Sequence, residues 1–271
     1  MNPTATTLDI RRPTPAVVHV DLARPDVRNA FNDAVIVELS AAFEGFAADA
    51  DLRCVVLGGQ GKAFCAGANL AWMRAMGSYT WEQNRADAQA LADMLWTIDR
   101  CPVPVVARIH GDCYAGGVGL AAVCDIRVAA AGAGFCLSEA KLGLLPGTIS
   151  PYVLRALGES ASRRYFVTAE RFDAATAHRL GFVHEVVEGE GETLHAALDA
   201  RVDTLVQAIV ANGPMAVKAC KRLVQDLAGL PITESLRADT ARRIADIRAS
   251  AEGQAGVRAF LERRDPPWRQ G

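Results

Sequence analysis

The sequence Y-A-G-G-V-G-L-A-A-V-C-D at residues 114–125 leads from a turn of small residues into an apolar helical run. The stretch G-K-A-F-C-A-G-A-N-L at 61–70 has the same order. At such a junction the first backbone N–H groups of the helix have no intrahelical acceptor, and small residues allow a ligand to approach them. Two such turns brought together would supply two donors to a developing oxyanion. The pair therefore indicates an enzyme that acts on an acyl group.

Strand-like and helical segments alternate around these two turns. Runs of β-branched residues predict strands at 17–22, 53–57, 103–109 and 126–130, and a shorter one at 135–137. Apolar residues at helical spacing predict helices at 33–47, 81–99 and 116–123. This alternation favours an α/β core with substantially parallel strands.

After Pro146 the pattern changes to helices that have no strand partner. They are predicted at 150–157, 162–167, 192–211 and 214–228, with a charged helical stretch at 243–264. Helices of this kind often pack on another subunit as well as on their own core. Because G-E-G-E at 189–192 and A-N-G-P at 211–214 mark a break in the pattern, we predict a core at 1–195 and a helical C-terminal region at 196–271.

The composition excludes several classes of protein. A chain of 271 residues with 51% hydrophobic content can bury one large domain, or one domain and an appendage. A formal net charge of −2 provides no bulk positive field for nucleic acid or anionic lipid. The first residues lack the pattern of a secretory signal, and no apolar run reaches membrane-spanning length. We therefore expect a cytoplasmic protein with no nucleic-acid or membrane partner.

The seven cysteines are scattered, mostly within apolar segments, and form no C-x-x-C pair. This distribution is typical of reduced cysteines packed in a core. It gives no support to a zinc ribbon or a dithiol centre, so no metal or redox cofactor is predicted.

Glu139 is a single carboxylate in the otherwise apolar stretch F-C-L-S-E-A-K-L-G-L-L-P-G at 135–147. Desolvation would raise its pKa toward the working range of a general acid or base. The spacing alone leaves a second interpretation equally open, in which Glu139 is a surface residue paired with Lys141.

Five stretches occur in the order found in one family of enzymes. They are R-P-D-V-R-N-A-F at 24–31, K-A-F-C-A-G-A-N-L at 62–70, A-G-G-V-G-L-A-A-V-C-D-I at 115–126, L-S-E-A-K-L-G-L-L-P-G at 137–147 and A-F-L-E-R-R-D-P-P at 259–267. On these motifs the chain resembles the crotonase superfamily, the enoyl-CoA hydratase/isomerase group. The resemblance implies a spiral of ββα units with a C-terminal helical trimerisation region, in a homotrimer or a homohexamer built from two trimers.

The resemblance also implies catalytic positions. The oxyanion hole would consist of the backbone N–H groups of Ala66 and Gly116, which would hold the thioester carbonyl of an acyl-CoA. The two carboxylates of the family's hydratases correspond to Gly119 and Glu139, so the first is missing here. Glu139 alone could still deliver and recover a proton in hydration, or move a proton between carbons in an isomerase. A non-catalytic acyl-CoA-binding oligomer is the alternative of another class.

A finer resemblance bears on the substrate. G-G-V-G-L at 116–120, the stretch from 135 to 159 and R-R-Y-F-V-T-A-E-R-F at 163–172 resemble bacterial 3-methylglutaconyl-CoA hydratases of leucine and isovalerate degradation. That substrate would need a cation for its distal carboxylate. Arg74, Arg85 and Arg155 are all candidates, and each is equally open to interpretation as a surface or interface arginine.

Coenzyme A would enter as part of the substrate, so no separate cofactor is predicted. The resemblance places its phosphates near Arg28 and Lys62 and its adenine near the backbone around Ala68. The basic residues among the candidates could equally be solvated surface charges. The full set of predicted CoA-binding residues is Arg28, Lys62, Ala63, Ala68, Asn69, Leu70, Phe260 and Arg263.

Overall fold

A computed structural model describes residues 7–269, which form two β-sheets surrounded by helices. In spatial order the larger sheet consists of β1 (Leu8–Thr14), β2 (Val17–Leu22), β3 (Cys54–Gly59), β5 (Val105–Ile109), β7 (Ile126–Ala130) and β10 (Glu185–Val187). The smaller sheet consists of β4 (Ala63–Cys65), β6 (Asp112–Tyr114), β8 (Gly134–Cys136) and β9 (Arg171–Asp173). Strands pair in parallel except at the β1–β2 and β8–β9 edges.

The helices follow the strands in a repeating order. They are α1 (Asp33–Ala48), α2 (Leu70–Met76), α3 (Trp81–Asp99), α4 (Gly116–Ala122), α5 (Ser150–Leu157), α6 (Glu159–Thr168), α7 (Ala174–Arg179), α8 (Gly191–Val210), α9 (Pro214–Leu227), α10 (Glu234–Ala249) and α11 (Ala251–Leu261). Three times the chain runs through a strand of the larger sheet, a strand of the smaller sheet and then helix. The predicted α/β spiral of ββα units is therefore confirmed.

Both faces of the larger sheet are covered, because successive side chains of a strand point to opposite faces. On one face Val20 lies in a buried cluster with Leu39 of α1 and Leu95 of α3. On the other face Val56 lies in a second cluster with Val202 of α8. The sheet is thus the middle layer of the fold.

Helix α8 connects the spiral to the last three helices. It packs on the larger sheet through its buried side chains, and the boundary predicted between residues 195 and 196 falls within it. Beyond it, α9 is held to the core by polar contacts. Lys221 Nζ donates to the Asp125 carboxylate at 2.7 Å and to the Val103 carbonyl at 3.1 Å. Gln225 Nε2 donates to the Asp99 carbonyl at 2.6 Å.

Within residues 7–269, no helix has both the length and the apolar character that crossing a bilayer requires.

Candidate active site

Three parallel strands of the smaller sheet end at one edge. The Cα partners are Cys65 with Cys113 and Tyr114 with Cys136, so β4, β6 and β8 finish side by side. The Ala115 N–H donates to the Cys136 carbonyl at 2.8 Å and extends this pairing past the end of the strands. The loops that follow the strands, 66–69, 115–116 and 137–139, are therefore neighbours, as is usual for a site at the carboxyl edge of parallel strands.

The first two loops touch through their backbones. Gly67 has φ +86°, and a Cβ at this position would lie 2.9 Å from the Ala115 Cβ and 3.1 Å from the Tyr114 carbonyl oxygen. A Cβ at Gly117 would overlap the Cys65 carbonyl oxygen. Ala115 itself has φ +48°, a conformation that stores roughly 1–3 kcal/mol of strain in a residue other than glycine. Small residues at these positions thus allow the two turns to meet, a role additional to the ligand access predicted from the sequence.

The hydrogen bonds of the first turn along the chain, at residues 66–69, change one predicted assignment. The Ala66 N–H donates to the Arg28 carbonyl at 3.0 Å, so it is already occupied. Phe31 forms a parallel bridge with Ala68: its N–H donates to Gly67 at 2.7 Å and its carbonyl accepts from Asn69 at 2.8 Å. In a parallel bridge of this type the central residue, here Ala68, directs its own N–H away from the partner.

The structure therefore does not support Ala66 as an oxyanion donor, and Ala68 is the residue of this turn whose N–H points away from these bonds. The Ala68 N–H has no acceptor among residues 7–269. On the second turn, Gly116 is the first residue of α4, where an N–H has no intrahelical acceptor. Gly67 lies close to both donors. It directly precedes Ala68, and a Cβ on Gly67 would lie 3.6 Å from the Gly116 nitrogen.

Asn29, to which the sequence analysis gave no role, fixes the segment before the first turn. It is 1% exposed, and its amide nitrogen donates to the carbonyls of Gln60 and Ala63, both at 2.8 Å. Its side-chain oxygen accepts from the Arg24 N–H at 2.9 Å. The only trace of this role in the sequence is the polar Asn in R-P-D-V-R-N-A-F, because the two carbonyls that it binds, those of Gln60 and Ala63, lie more than thirty positions away.

His110 fixes the same loop from the other side. Its Nε2 lies 3.1 Å from the Gly61 carbonyl oxygen, and a Cβ at Gly111 would overlap the Lys62 carbonyl oxygen. Burial lowers the pKa of His110 to about 4, so the ring is neutral at physiological pH and donates through Nε2. The loop that bears Lys62 is thereby attached to the junction of β5 and β6.

The predicted CoA-binding residues fall into two groups. Arg28 and Lys62 are exposed on the two loops that Asn29 connects, followed by the first turn with Ala68, Asn69 and Leu70. Ala63 is buried, and its carbonyl is bonded to Asn29, so its role is structural. The other group, exposed Phe260 and Arg263, lies at the C-terminal end of α11, which packs on α9 and α10.

Glu139 lies three residues after the end of β8 and begins a short 3₁₀ turn, Glu139–Leu142. The residue is half-buried, and within the described chain its Oε2 has no hydrogen-bond partner and its carboxylate forms no ion pair. Burial raises the pKa of Glu139, and a hydrogen bond from its own backbone N–H opposes this effect. Lys141 is exposed. The buried acid/base interpretation therefore describes Glu139 better than the surface pair with Lys141.

Gly119 lies one helical turn after Gly116 and is buried. Position 119 thus contributes no side chain, and Glu139 is the single carboxylate that these three loops carry.

The three candidate cations for a distal carboxylate are all exposed. Arg74 lies in the last turn of α2. The Arg85 guanidinium lies 5.9 Å from the ring centroid of Trp81. Burial raises the pKa of the Asp99 carboxyl, and the positive charge of Arg155 on α5 opposes this effect.

Comparison with known proteins agrees with this fold. The sequence profile of the family described as "Enoyl-CoA hydratase/isomerase" matches residues 13–271. The chain therefore belongs to the enoyl-CoA hydratase/isomerase family, whose fold is the crotonase fold.

Three similar proteins illustrate the match. Enoyl-CoA hydratase ACTT6 of Alternaria alternata is 35% identical over 93% of this chain and 81% of its own length. Mevalonyl-coenzyme A hydratase sidH of Aspergillus fumigatus is 31% identical over 95% of this chain and 93% of its own length. A crystal structure of an enoyl-CoA hydratase from Shewanella pealeana is 38% identical and superimposes with a TM-score of 0.91, covering 97% of this chain and 96% of that one.

We predict that Glu139→Gln stabilises the protein at neutral pH. Because burial holds the folded-state pKa of Glu139 above its unfolded value, the folded state loses stability as pH rises through that interval. The amide cannot ionise, so the variant should melt at a higher temperature than the wild type at pH 7–8. This advantage should vanish at a pH below about 4, where Glu139 is protonated in both the folded and the unfolded state of the wild type.

Differential scanning calorimetry across this pH range measures the effect. Glu159→Gln is the matched control, because Glu159 is an exposed carboxylate paired with Arg163 at 2.8 Å and its replacement should not raise the melting temperature. A Glu139→Gln advantage that is the same at pH 4 and pH 8 contradicts the argument.

Proposed function

We propose that this protein is an enoyl-CoA hydratase in which Glu139 is the catalytic acid/base and the N–H groups of Ala68 and Gly116 bind the thioester oxygen. The observation that carries this proposal is the position of Glu139. A half-buried carboxyl with a raised pKa lies in the loop after β8, next to the two turns that present these donors. Donors and base would then face opposite ends of the same conjugated system.

One carboxylate is sufficient for a balanced hydration. Ionised Glu139 accepts a proton from water as the water oxygen forms a bond to C3. The electron pair of the C2=C3 bond moves toward C1 and places negative charge on the thioester oxygen. The protonated Glu139 then returns its proton to C2 and the thioester carbonyl is restored. The net change is addition of one water, and Glu139 ends as it began.

The two N–H donors act on the charge that develops at the thioester oxygen. Their value is greatest in the transition state, because the oxygen carries more negative charge there than in the substrate. Loss of one such donor typically reduces the rate about 10²–10³-fold. An ordinary substitution cannot remove a backbone donor. A substitution can block access to the donor, and the small residues of the two turns keep that access open.

The substrate that we propose is 3-methylglutaconyl-CoA, as in leucine and isovalerate degradation. The support is the sequence resemblance over 116–172, together with 31% identity to a hydratase named for mevalonyl-coenzyme A, another acyl group branched at C3. Arg74, Arg85 and Arg155 are the candidates for the distal carboxylate. Coenzyme A belongs to the substrate, and the proposed reaction uses no separate cofactor.

An isomerase that moves the double bond between the 3 and 2 positions is the second candidate. The observation that favours it is Gly119, because a single carboxylate is all that is needed to take a proton from C2 of a 3-enoyl-CoA and return it at C4. The description of the family to which the chain belongs names both hydratases and isomerases.

We also propose that the protein assembles as a homotrimer, or as a homohexamer of two trimers, in the cytoplasm. The last three helices leave large apolar side chains exposed, including Val257, Phe260 and Leu261 on α11. Phe260 is 81% exposed, and burial of such a surface is a strong reason to associate. A neighbouring subunit would bring Phe260 and Arg263 to a CoA site that one chain leaves open.

Glu139→Gln should reduce turnover of an enoyl-CoA by about 10²–10⁴-fold, because it removes the proton-transfer group and keeps its size. Binding of butyryl-CoA, a saturated analogue, should change by less than about threefold, since the oxyanion donors remain. Steady-state hydration assays and isothermal titration calorimetry measure the two effects. Glu159→Gln is again the control, and full activity of Glu139→Gln would overturn the mechanism.

A panel of substrates separates the proposed activities. We expect kcat/KM to be at least about tenfold higher for 3-methylglutaconyl-CoA than for crotonyl-CoA, a difference of about 1.4 kcal/mol in transition-state binding. Ultraviolet absorbance of the conjugated thioester distinguishes the reactions, because hydration removes it and isomerisation of a 3-enoyl-CoA creates it. Preference for crotonyl-CoA would refute the substrate, and turnover of the 3-enoyl ester alone would establish the isomerase.

The wild type should sediment as a trimer or hexamer in analytical ultracentrifugation. Phe260→Asp should shift the distribution toward smaller species, because it places a charge in the proposed interface. Val37→Asp, at an exposed apolar position of α1, is the control and should leave the distribution unchanged. A monomeric wild type at micromolar concentration would contradict the proposed assembly.

A further inference from the structure

We infer that Ile149 is the specificity-determining residue that restricts this site to one carboxylate, because its side chain occupies the space that any side chain at position 119 would need. The steric part of this inference stands on the structure alone. Its catalytic consequence rests on the proposed function, in which Glu139 transfers the proton.

Gly119 would direct a side chain toward the site if it had one. It lies three residues after Gly116 in α4, and residues at this spacing share one face of a helix. A carboxylate at position 119 would therefore stand on the same side of α4 as the Gly116 donor, within the group of loops that includes Glu139.

Ile149 closes this position. A Cβ built at Gly119 overlaps the Ile149 Cγ2 and lies 2.5 Å from the Ile149 Cβ, whereas the Ile149 Cα is 3.6 Å away. The conflict is thus with the side chain of Ile149 and not with its main chain. Any residue larger than glycine at 119 requires Ile149 to move or to lose its side chain.

Ile149 has little freedom to move. It is 2% exposed and belongs to the main buried cluster. Its carbonyl accepts from the N–H groups of Tyr152 at 3.1 Å and Val153 at 3.0 Å, so its backbone forms the start of α5. A β-branched side chain also has few alternative rotamers. The α4–α5 contact therefore holds Ile149 against Gly119.

The consequence is an apolar wall where a second acid/base group would otherwise stand. Water that reacts in the site would then have Glu139 as its ionisable partner, and the Ile149 side chain takes the place of a second carboxylate at position 119. Such a wall suits an acyl group that carries a branching methyl, because apolar contact there leaves no polar group unsatisfied. Since Ile and Glu side chains are of similar size, removal of the first makes room for the second.

A thermal-unfolding cycle tests the steric part. Gly119→Ala should lower the melting temperature by roughly 3–10 °C, because overpacking in a core is destabilising. In an Ile149→Gly background the same change should lower it by less than about 2 °C. Gly45→Ala in α1 is the matched control: nothing lies within 4 Å of its added Cβ, so it should not lower the melting temperature.

Equal losses in the two backgrounds would overturn the inference. If Ile149→Gly proves too unstable to purify, Gly119→Ala still decides the point against Gly45→Ala, because melting of the two variants at the same temperature would show that Ile149 does not block position 119.

Activity tests the catalytic part. The double variant Gly119→Glu with Ile149→Gly should hydrate crotonyl-CoA at least about tenfold faster than Ile149→Gly alone, and Gly119→Glu alone should give no gain over wild type. Absence of the gain in the double variant, or the same gain from Gly119→Glu alone, overturns the role of Ile149. Failure of the proposed function would give a different result, because Glu139→Gln would then turn over an enoyl-CoA as fast as the wild type.

Discussion

The direct contact between the two small-residue turns is the constraint on which the site depends. Gly67 lies against Ala115, and Gly117 lies against the Cys65 carbonyl, at a separation that no larger residue permits. This contact places the Ala68 and Gly116 donors on neighbouring loops, and the parallel pairing of β6 with β8 adds Glu139 beside them. In the proposed reaction these backbone N–H groups would form the oxyanion site without reorganisation.

The surrounding structure maintains this geometry through buried polar contacts and apolar packing. Asn29 and His110 fix the loop that precedes the first turn, while Ile149 packs under the second. Glu139, in the loop after β8, is partly desolvated, and its Oε2 has no hydrogen-bond partner among residues 7–269. The unfavourable environment of this carboxylate is the kind of local cost that makes an acid/base group effective near neutral pH.

Much of the fold follows from hydrophobic periodicity, and the parts that do not have a physical reason. The strand at 17–22 and the helix at 150–157 coincide with β2 and α5. The three-residue strands β4 and β6 carry too short a pattern to show alternation. Glu139 and Gly116 were identifiable as local motifs, but the choice between Ala66 and Ala68 depends on a bridge to Phe31. The obstruction at position 119 likewise depends on Ile149, thirty residues away in sequence, so only the folded chain shows it.

The central claim is that Ala68, Gly116 and Glu139 act on one thioester. A crystal structure of the Glu139→Gln variant with 3-methylglutaconyl-CoA tests it most directly. We expect the thioester oxygen to lie within about 3.2 Å of both the Ala68 and the Gly116 nitrogen, and the side chain at position 139 to face C2 and C3. A thioester oxygen bound by the Ala66 nitrogen, or by neither turn, would contradict it.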